Sequence, residues 1–332
     1  MSNIDFYFDE YYGKLYEKAE NGEACIFKFE SEFGSVEHQF IKREIPAGKL
    51  PFEGTYYDIV SPYGYGGPVM TDVNPDNKEK LEAEFSKAFE EYCRENNIVC
   101  EFVRFHPIVE NALDFKNTYN PKWDRNTLGT NLGAYDDPVS SEFTKHCRKR
   151  IRQALNKGVT YEVIEHPTDL SEFKEIYFDT MDRNEAGDFY YFDEEYFNKC
   201  IEHYGNNLLL VKAQFEGKTI AAGMYFLYNK WIHIHLSGTR HEYLYLSPAY
   251  ILRYALTLWG KENGYELIHH GGGRSNDPED SLFTFKEQFA VNTKFDFYVG
   301  RKVWLADKYK EICTYCKVDP DSSYFPAYRQ KN

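Results

Sequence analysis

The sequence lacks a long uncharged apolar segment. Among its 332 residues the longest such run, 220–228, is nine residues long, whereas a membrane-spanning helix needs roughly 20. The first residues, MSNIDFYFDEYY, have no basic start, no apolar core and no small-residue cleavage site, so they do not resemble a secretory signal. We therefore expect a cytoplasmic protein with no integral membrane segment.

Cysteine is scarce and scattered. The seven cysteines are an odd set, unlike the dense, even framework of a small secreted domain, and we expect reduced thiols at positions 25, 93, 100, 147, 200, 313 and 316. Cys313 and Cys316 form one CxxC pair, but no second Cys or His pair follows at zinc-finger spacing. The sequence therefore predicts no bound metal at this pair.

Basic residues are in the minority. The chain has 39 Lys and Arg against 53 Asp and Glu, which gives a net charge of −14. Because phosphate contacts require positive charge, this balance argues against a general nucleic-acid coat protein. The exception is residues 145–157, which contain six Lys and Arg and no acid. Such a stretch indicates either a localised anion site or a solvated helix face.

The composition, 42% apolar and 28% charged, is globular, and strand-like segments alternate with helix-like ones. The pattern predicts strands over 24–30, 35–45, 56–60, 98–105, 127–132, 208–215, 219–228, 231–237, 266–270 and 294–299. It predicts helices that start at Asn74-Pro75, at Ser140 or Ser141, at Ser247-Pro248 and at Asp277-Pro278, two more over 170–181 and 194–204, and a long loop over 111–125. We expect a mixed α/β (α+β) fold in two domains, 1–158 and 159–332.

Two glycine-rich turns follow predicted strands. The first, residues 61–68, lacks the Lys and Ser/Thr of a phosphate-binding P-loop. It is either a rigid surface turn or a place where backbone and tyrosines contact a ligand. The second, His269-His270-Gly271-Gly272-Gly273-Arg274, leads into a helix, so its free N–H groups could hold an anion or a carbonyl oxygen.

The helix after the second turn carries a lysine on its apolar face. Lys286 is four residues after Leu282 and three before Phe289, which belong to the buried stripe. A lysine there extends its ammonium to solvent, pairs with an acid, or sits beside a reacting group. In the last case a desolvated ammonium would polarise an ester or thioester carbonyl and stabilise the oxyanion.

The strand over 231–237 places two histidines on one face. Alternation puts Trp231, His233, His235 and Ser237 together, with apolar residues on the other face. With His270 the histidines could form three metal ligands, but no HExxH-type spacing supports this, so we expect a cleft-lining face that supplies a general base. No GxSxG motif is present, and no cysteine can be singled out as a nucleophile.

Taken in order, the motifs resemble the FemABX family of aminoacyl-tRNA-dependent transferases and their GNAT-fold relatives. The matching segments lie at 58–68, 147–163, 217–228, 247–266 and 269–289. The resemblance implies two GNAT-like domains packed together and transfer of an aminoacyl group from a tRNA ester to an amine of a peptidoglycan precursor. It places Lys286 near the ester carbonyl and the helix around Arg148 and Arg152 beside the cleft. The chain differs from the family pattern in having no long helical hairpin and in having His269-His270 before the glycines.

We expect three catalytic residues, Lys286, His270 and Asp280. The expected substrate-binding residues are Tyr63, Tyr65, Gly66, Gly67, Arg148, Arg152, His235, Ser237, Tyr250, Gly271, Gly272 and Gly273. No permanently bound cofactor is expected; aminoacyl-tRNA serves as co-substrate, and the partners are its acceptor end and a nucleotide- or lipid-linked precursor.

Two other functions compete with this one. The first is a GNAT-type enzyme that uses acyl-CoA to acylate an amino sugar or another small amine. Against it, residues 240–247 read RHEYLYLS, without the glycines of a CoA-binding loop. The second is a non-catalytic protein whose aromatic clefts bind glycan or peptide.

Overall fold

The structure, a computed structural model, describes residues 4–45, 53–277 and 279–330. The chain divides into two compact units, one formed by residues 1–124 and 296–332 and the other by residues 125–295. Strands and helices alternate in both units, so the predicted mixed α/β class is confirmed. The units do not meet at the predicted boundary after residue 158, because the strand over 294–303 pairs with the strand over 98–104.

The secondary structure can be given in chain order. The strands are β1 Glu23–Ser31, β2 Gly34–Glu44, β3 Tyr57–Val60, β4 Val69–Thr71, β5 Ile98–Arg104, β6 Lys122–Asn131, β7 Thr160–Glu165, β8 Leu208–Phe215, β9 Lys218–Tyr228, β10 Trp231–Thr239, β11 Leu267–Gly272 and β12 Lys294–Val303. The α-helices are α1 Glu10–Leu15, α2 Glu17–Glu20, α3 Lys78–Glu95, α4 Asn111–Asp114, α5 Lys116–Tyr119, α6 Pro138–Glu142, α7 Lys145–Asn156, α8 Ser171–Arg183, α9 Glu194–Tyr204, α10 Pro248–Glu262, α11 Ser281–Glu287 and α12 Ala306–Cys316. Within the described ranges, no helix has both the length and the apolar character needed to cross a bilayer.

The first unit is a sheet covered by α3. Its strand order is β1-β2-β3-β5-β12, with β4 paired to β2; β3 and β5 are parallel, and the other neighbours are antiparallel. As predicted, the Asn74 side chain accepts a bond from the Asp76 N–H and Pro75 opens the helical segment. Three side chains of α3, Leu81, Phe85 and Phe89, enter the core of this unit.

The predicted loop over 111–125 is wrong. This polar stretch forms α4, α5 and the start of β6. Some of its polar groups make tertiary bonds: the Asn111 amide donates to the backbone oxygens of Gly66 and Pro68. Likewise, the buried Glu82 carboxylate accepts bonds from the N–H groups of Asn117 and Thr118.

The second unit has a six-stranded sheet with helices on both faces. Its order is β6-β11-β10-β9-β8-β7, in which only β10 and β11 are parallel. Residues of α7 and α10, including Ile151 and Leu256, form the core on one face. On the other face α8 lies against β10, where a Cβ on Gly238 would come within 2.5 Å of the Ile176 oxygen. Glycine is therefore required at that crossing.

The basic helix begins later than predicted. Ser140 and Ser141 belong to the short α6, and Phe143 has extended backbone angles that interrupt the helical path. Thr144 is the N-cap of α7, and its hydroxyl accepts a bond from the Cys147 N–H at 3.1 Å. Its apolar side chains Cys147 and Ile151, four residues apart, face the core.

Candidate functional site

Lys286 is held at the end of β11. It lies near the C-terminal end of α11, and its half-buried side chain turns back toward the glycine-rich turn. The Lys286 Nζ donates a hydrogen bond of 2.6 Å to the Gly272 backbone oxygen. An ammonium has three hydrogens to donate, so two remain for another acceptor at this position.

The surroundings of Lys286 favour loss of its proton. Burial in protein removes water from the ammonium and is the main cause; the charge of Arg253 acts in the same direction. The Asp280 carboxylate opposes both effects. The net result lowers the pKa of Lys286 from 10.5 to about 7, so the ammonium and the neutral amine are both populated near neutral pH.

Asp280 positions α11. Its carboxylate accepts four backbone N–H bonds, from Leu282 and Phe283 at the helix start and from Arg274 and Ser275 in the preceding turn. These bonds hold the pKa of Asp280 down at about 2, even though desolvation raises it. Such a carboxylate stays ionised and fixes the helix that carries Lys286. The contacts are those of an N-cap at Asp280 rather than of the predicted start at Asp277-Pro278, and Pro278 itself lies outside the described residues.

The three glycines before α11 allow close approach. Gly271 has a φ of +72°, which is left-handed backbone. A Cβ on Gly273 would come within 2.9 Å of the Asp280 carboxyl carbon. Side chains at these two positions would push the turn away from its cap and move the carbonyl that Lys286 contacts.

His270 is buried next to this turn and has one polar contact. Its Nε2 lies 2.7 Å from the Thr130 hydroxyl, which itself donates to the Phe289 oxygen. Because that hydroxyl has only one hydrogen, Nε2 must be the donor, and Nδ1 then carries a lone pair. Burial is the main reason that the pKa of His270 is well below its ordinary value, helped by the charges of Arg253 and Lys286. The imidazole is therefore neutral and a weak base, and its expected catalytic role stays a prediction.

The parallel strands β10 and β11 separate as they approach this site. They pair only from Trp231 to His233 on β10 and from Leu267 to His269 on β11. Beyond these residues β10 runs on to Thr239 and β11 to Gly272, each with a bulge. Strands that diverge leave backbone N–H and C=O groups without ladder partners.

The bulge at His235 changes the predicted face of β10. Directly opposite residues of an antiparallel pair share a face, and after the bulge Ser237 lies opposite Gly223, whereas His233 lies opposite Phe226. Because Gly223 and Phe226 are an odd number of residues apart on β9, Ser237 and His233 face opposite sides of the sheet. The prediction that they share a face is wrong, since a bulge shifts the alternation by one residue.

His235 contacts the helices on the α8–α9 face. Its Nε2 lies 2.5 Å from the Tyr196 hydroxyl, and its ring is 4.8 Å from that of Phe226. Burial lowers the pKa of His235 to about 3. The neutral imidazole therefore accepts the tyrosine hydrogen. Among the described residues no three His, Cys, Asp or Glu side chains form a group that could hold a metal ion.

Tyr250 and Arg148 make specific contacts on the α10 side. The Tyr250 hydroxyl donates to the Gln288 side chain at 3.1 Å, and its ring packs 5.4 Å from that of Phe289. Arg148 donates to the backbone oxygens of Ser140 and Phe143, so one of its nitrogens holds the end of α6.

The outer side of α7 is an unneutralised basic surface. Lys145, Lys149 and Arg152 are exposed, at helical spacing, and within the described ranges none of them has a carboxylate partner. On its flank Arg150 donates to the Ser247 hydroxyl at 3.2 Å. Further along, the Lys157 Nζ lies 5.6 Å from the ring of Tyr245, which is 63% exposed. Cations and an open aromatic ring therefore share one surface.

The first glycine-rich turn belongs to the other unit. Tyr65 is buried, with its ring 5.3 Å from that of Phe297, and the Tyr63 backbone oxygen accepts a bond from the Tyr12 hydroxyl. Gly66 accepts the Asn111 bond described above. At Gly67, with a φ of +83°, a Cβ would come within 2.8 Å of Val103. The turn is tightly packed within its own unit.

The structure thus brings together part of the predicted set. Lys286, His270, Asp280 and the turn 271–273 lie around the end of β11, and Tyr250 reaches the same region through Gln288. Sequence reasoning missed Arg253, although it showed the same signal as Lys286: a cation three residues before a core leucine, Leu256. Thr130 gave no signal, because its partner His270 is 140 positions away.

Comparison with known proteins adds a family and relatives. Residues 141–286 match the Acetyltransferase (GNAT) domain family. A UDP-N-acetylmuramoylpentapeptide-lysine N(6)-alanyltransferase from Weissella viridescens is 23% identical over 273 residues, which cover 75% of this chain and 78% of the relative. These matches confirm the resemblance predicted from the motifs.

Solved structures share the fold. The crystal structure of FemX superposes with a TM-score of 0.62 at 15% identity, covering 89% of this chain and 92% of that chain. The structure of L-PGS from Bacillus licheniformis gives a TM-score of 0.54 at 15% identity, covering 89% and 91% of the two chains. With the family match and the alanyltransferase relative, the chain is an acyltransferase with a GNAT fold.

Proposed function

We propose that this acyltransferase moves an aminoacyl group from aminoacyl-tRNA to an amine of a peptidoglycan precursor, a nucleotide- or lipid-linked one in the cytoplasm. The observation that carries the proposal is the Lys286 ammonium, held at 2.6 Å on the Gly272 oxygen where β10 and β11 separate. The relative from Weissella viridescens is named for alanyl transfer to a lysine N(6) of a UDP-linked muramoylpentapeptide. An acceptor of the same class is anionic, which suits the basic outer side of α7.

The geometry supports a direct acyl transfer. The acceptor nitrogen attacks the ester carbonyl carbon and forms the new C–N bond, while the carbonyl oxygen becomes an oxyanion. The free hydrogens of the Lys286 ammonium, with N–H groups of the glycine turn, stabilise that charge. The intermediate then expels the ribose oxygen, which takes up a proton, and the nitrogen gives one up to a base in the cleft or to water. Donor and acceptor supply all the atoms, so no bound cofactor is required.

The basic surface of α7 supports RNA as the donor. Twelve residues of helix span about 18 Å, long enough to follow several phosphates of an extended strand. Lys145, Lys149 and Arg152 are free to neutralise phosphates, and the exposed Tyr245 ring offers a stacking surface to an unpaired base. Because the chain as a whole has a net charge of −14, we expect an anionic strand to bind at the basic surface of α7.

The second candidate is acyl transfer from acyl-CoA, which the name of the matching domain family favours. The segment between β10 and α10 argues against CoA as the donor. It forms a 3-10 helix over His241–Leu246 followed by Ser247 in left-handed backbone, and it contains no glycine. A chain without glycine there has fewer ways to bring backbone N–H groups close to a diphosphate.

A donor assay tests the proposal. The purified chain receives a UDP-linked muramoylpentapeptide and, in parallel reactions, labelled aminoacyl-tRNA or labelled acetyl-CoA. We expect label in the acceptor from the tRNA only. Lys286→Met should lower kcat by about 100- to 1,000-fold, since it removes one oxyanion donor.

Lys261 provides the matched control. Its Nζ also donates to a backbone oxygen, that of Leu132 at 2.9 Å, so Lys261→Met removes an equivalent contact away from the turn and should keep kcat. If acetyl-CoA supports transfer and charged tRNA does not, the proposal is wrong.

A further inference from the structure

Arg253 is a buried cation without a carboxylate partner. It lies in α10 and is 5% exposed. Its one hydrogen bond runs from Nη1 to the Tyr225 hydroxyl at 3.3 Å, and its Nε is enclosed without any partner among the described residues. By contrast, Arg43 and Arg329 both donate to the buried Asp58 carboxylate.

An unpaired guanidinium in a protein interior is unfavourable. Arginine keeps its charge in proteins, and a buried charge without a counter-charge or full hydrogen bonding destabilises the fold. Such a group is retained in a stable protein when something supplies the missing partner. No described side chain does so for Arg253.

Two further basic side chains lie close to Arg253. Tyr250, one turn before Arg253 on α10, places its ring 5.4 Å from that of Phe289, and the His270 ring lies 6.1 Å from the same phenyl ring. The three basic groups therefore come from segments that pack around Phe289, and the Arg253 charge lowers the pKa of both Lys286 and His270. His270, 3% exposed, also has an enclosed ring nitrogen, Nδ1, without a partner. Unused hydrogen-bonding capacity therefore gathers at one place.

Among the described residues, Asp280 is the acid whose charge acts on Lys286, and it is already occupied. Asp280 interacts with Lys286 electrostatically, but both of its oxygens accept backbone N–H bonds at the start of α11. It is not positioned as the hydrogen-bond partner of either Arg253 or Lys286. The protein therefore brings two cations together and leaves their counter-charge to a ligand.

We propose that Arg253 and Lys286, beside the neutral His270, form a subsite for one oxyanion of a substrate, a carboxylate or a phosphate group. A guanidinium binds either group through a pair of parallel N–H···O bonds. The inference deepens the proposed function, because an RNA donor carries phosphates and a peptide acceptor carries carboxylates. In this arrangement Arg253 binds the substrate charge, and Lys286 stands between that charge and the reacting carbonyl.

An anion titration of the full chain, without RNA or precursor, tests the subsite. Inorganic phosphate and N-acetyl-D-alanine are the two probes, and calorimetry with thermal melting measures their binding. We expect one of them to bind wild type and raise its melting temperature, and the one that binds identifies the source of the oxyanion. Arg253→Gln should raise the Kd of that probe at least tenfold, while Arg253→Lys, which keeps the charge, should raise it less.

Two further variants serve as a control for the loss of any arginine and as a substitute if the first variant does not fold. Arg301→Gln removes an exposed arginine of β12 and should bind the probe as wild type does. Should Arg253→Gln fail to fold, Lys286→Met tests the same subsite from its other side and should also raise the Kd at least tenfold. The inference is overturned if neither probe binds wild type, or if the folded variants bind as tightly as wild type. Because the titration needs no acyl transfer, an anion-binding chain without aminoacyltransferase activity would overturn only the proposed function.

Discussion

Lys286 shows how one side chain acquires its chemistry from its neighbours. Its side chain is half-buried, and its nitrogen donates to the Gly272 oxygen. Desolvation and the nearby Arg253 then lower its pKa to about 7. In the proposed reaction the ammonium form is the active one, because the neutral amine lacks the positive charge that stabilises the oxyanion.

This gives a pH prediction. Lys286 is protonated below pH 7 and loses its charge above it, whereas the guanidinium of Lys286→Arg stays charged throughout. The acceptor amine becomes more reactive as pH rises, in wild type and variant alike. The kcat of wild type divided by the kcat of Lys286→Arg therefore reports on Lys286 alone. We expect that ratio to be constant below about pH 6 and to fall about tenfold for each pH unit above about pH 8. A ratio that is flat from pH 6 to pH 9 would contradict the assigned role.

At the scale of single residues, the sequence identifies a functional side chain only when the residues next to it in the chain form a recognisable pattern. Lys286 was visible because it interrupts an apolar stripe with spacings of three and four. Glu142 was not: it is buried, and its carboxylate accepts N–H bonds from Asn131 and from Asn292, which is 150 positions away. Long-range contacts of this kind depend on how strands pair, which no local pattern contains.

Among the elements, those with strong periodicity were predicted best. The strands β8 and β9 lie within one residue of their predicted bounds, and α10 starts at Ser247-Pro248 as predicted. The errors concern features decided elsewhere in the chain. The bulge at His235 moves Ser237 to the other face, and Asn111 makes a polar segment helical through bonds to a distant turn.

The basic helix α7 carries a prediction at the scale of the element. If α7 contacts the donor, single-stranded RNA ending in CCA should bind with strong salt dependence. Replacing Lys149 and Arg152 by Gln should reduce the slope of log K against log salt by about 1.4, at about 0.7 for each phosphate contact. Fluorescence anisotropy at several salt concentrations measures the slope.

The matched control uses another helix. Lys80 and Lys87 are two exposed lysines of α3, and replacing both by Gln changes the net charge by the same amount. That variant should keep the wild-type slope. Equal slopes for wild type, the α7 variant and the α3 variant would show that α7 does not contact the RNA.

For the whole molecule, the alternation of strands and helices was enough to predict the class, but not the division of the chain. Gly158 ends the basic helix and looked like a boundary. The structure instead returns residues 296–332 to the first unit, where β12 pairs with β5 and the segment after α12 reaches Asp58. That buried carboxylate accepts bonds from Arg329 at 2.5 Å, Tyr328 at 3.0 Å and Arg43 at 2.8 Å.

The Asp58 cluster predicts a large effect on stability. Asp58→Ala leaves the Arg43 and Arg329 guanidinium groups without their buried partner, which typically costs about 3–5 kcal/mol. Urea unfolding followed by tryptophan fluorescence measures the loss, in a background in which Trp231 and Trp259 of the second unit are replaced by Phe so that the signal comes from the first unit. The exposed Asp319 lies in the same C-terminal segment, and Asp319→Asn should change stability by less than about 0.5 kcal/mol. A loss below about 1 kcal/mol for Asp58→Ala would mean that the cluster does not stabilise the first unit.

The discontinuous first unit also bears on the order of events during synthesis. The ribosome synthesises β5 long before β12, so one edge of the first unit's sheet is incomplete until β12 has been made. The second unit is contiguous and emerges in full before the first unit can be completed. The half of the protein that carries Lys286 can therefore be complete first. A nascent chain stalled before residue 294 would display an open strand edge on β5, which makes this stage of translation the one most exposed to aggregation.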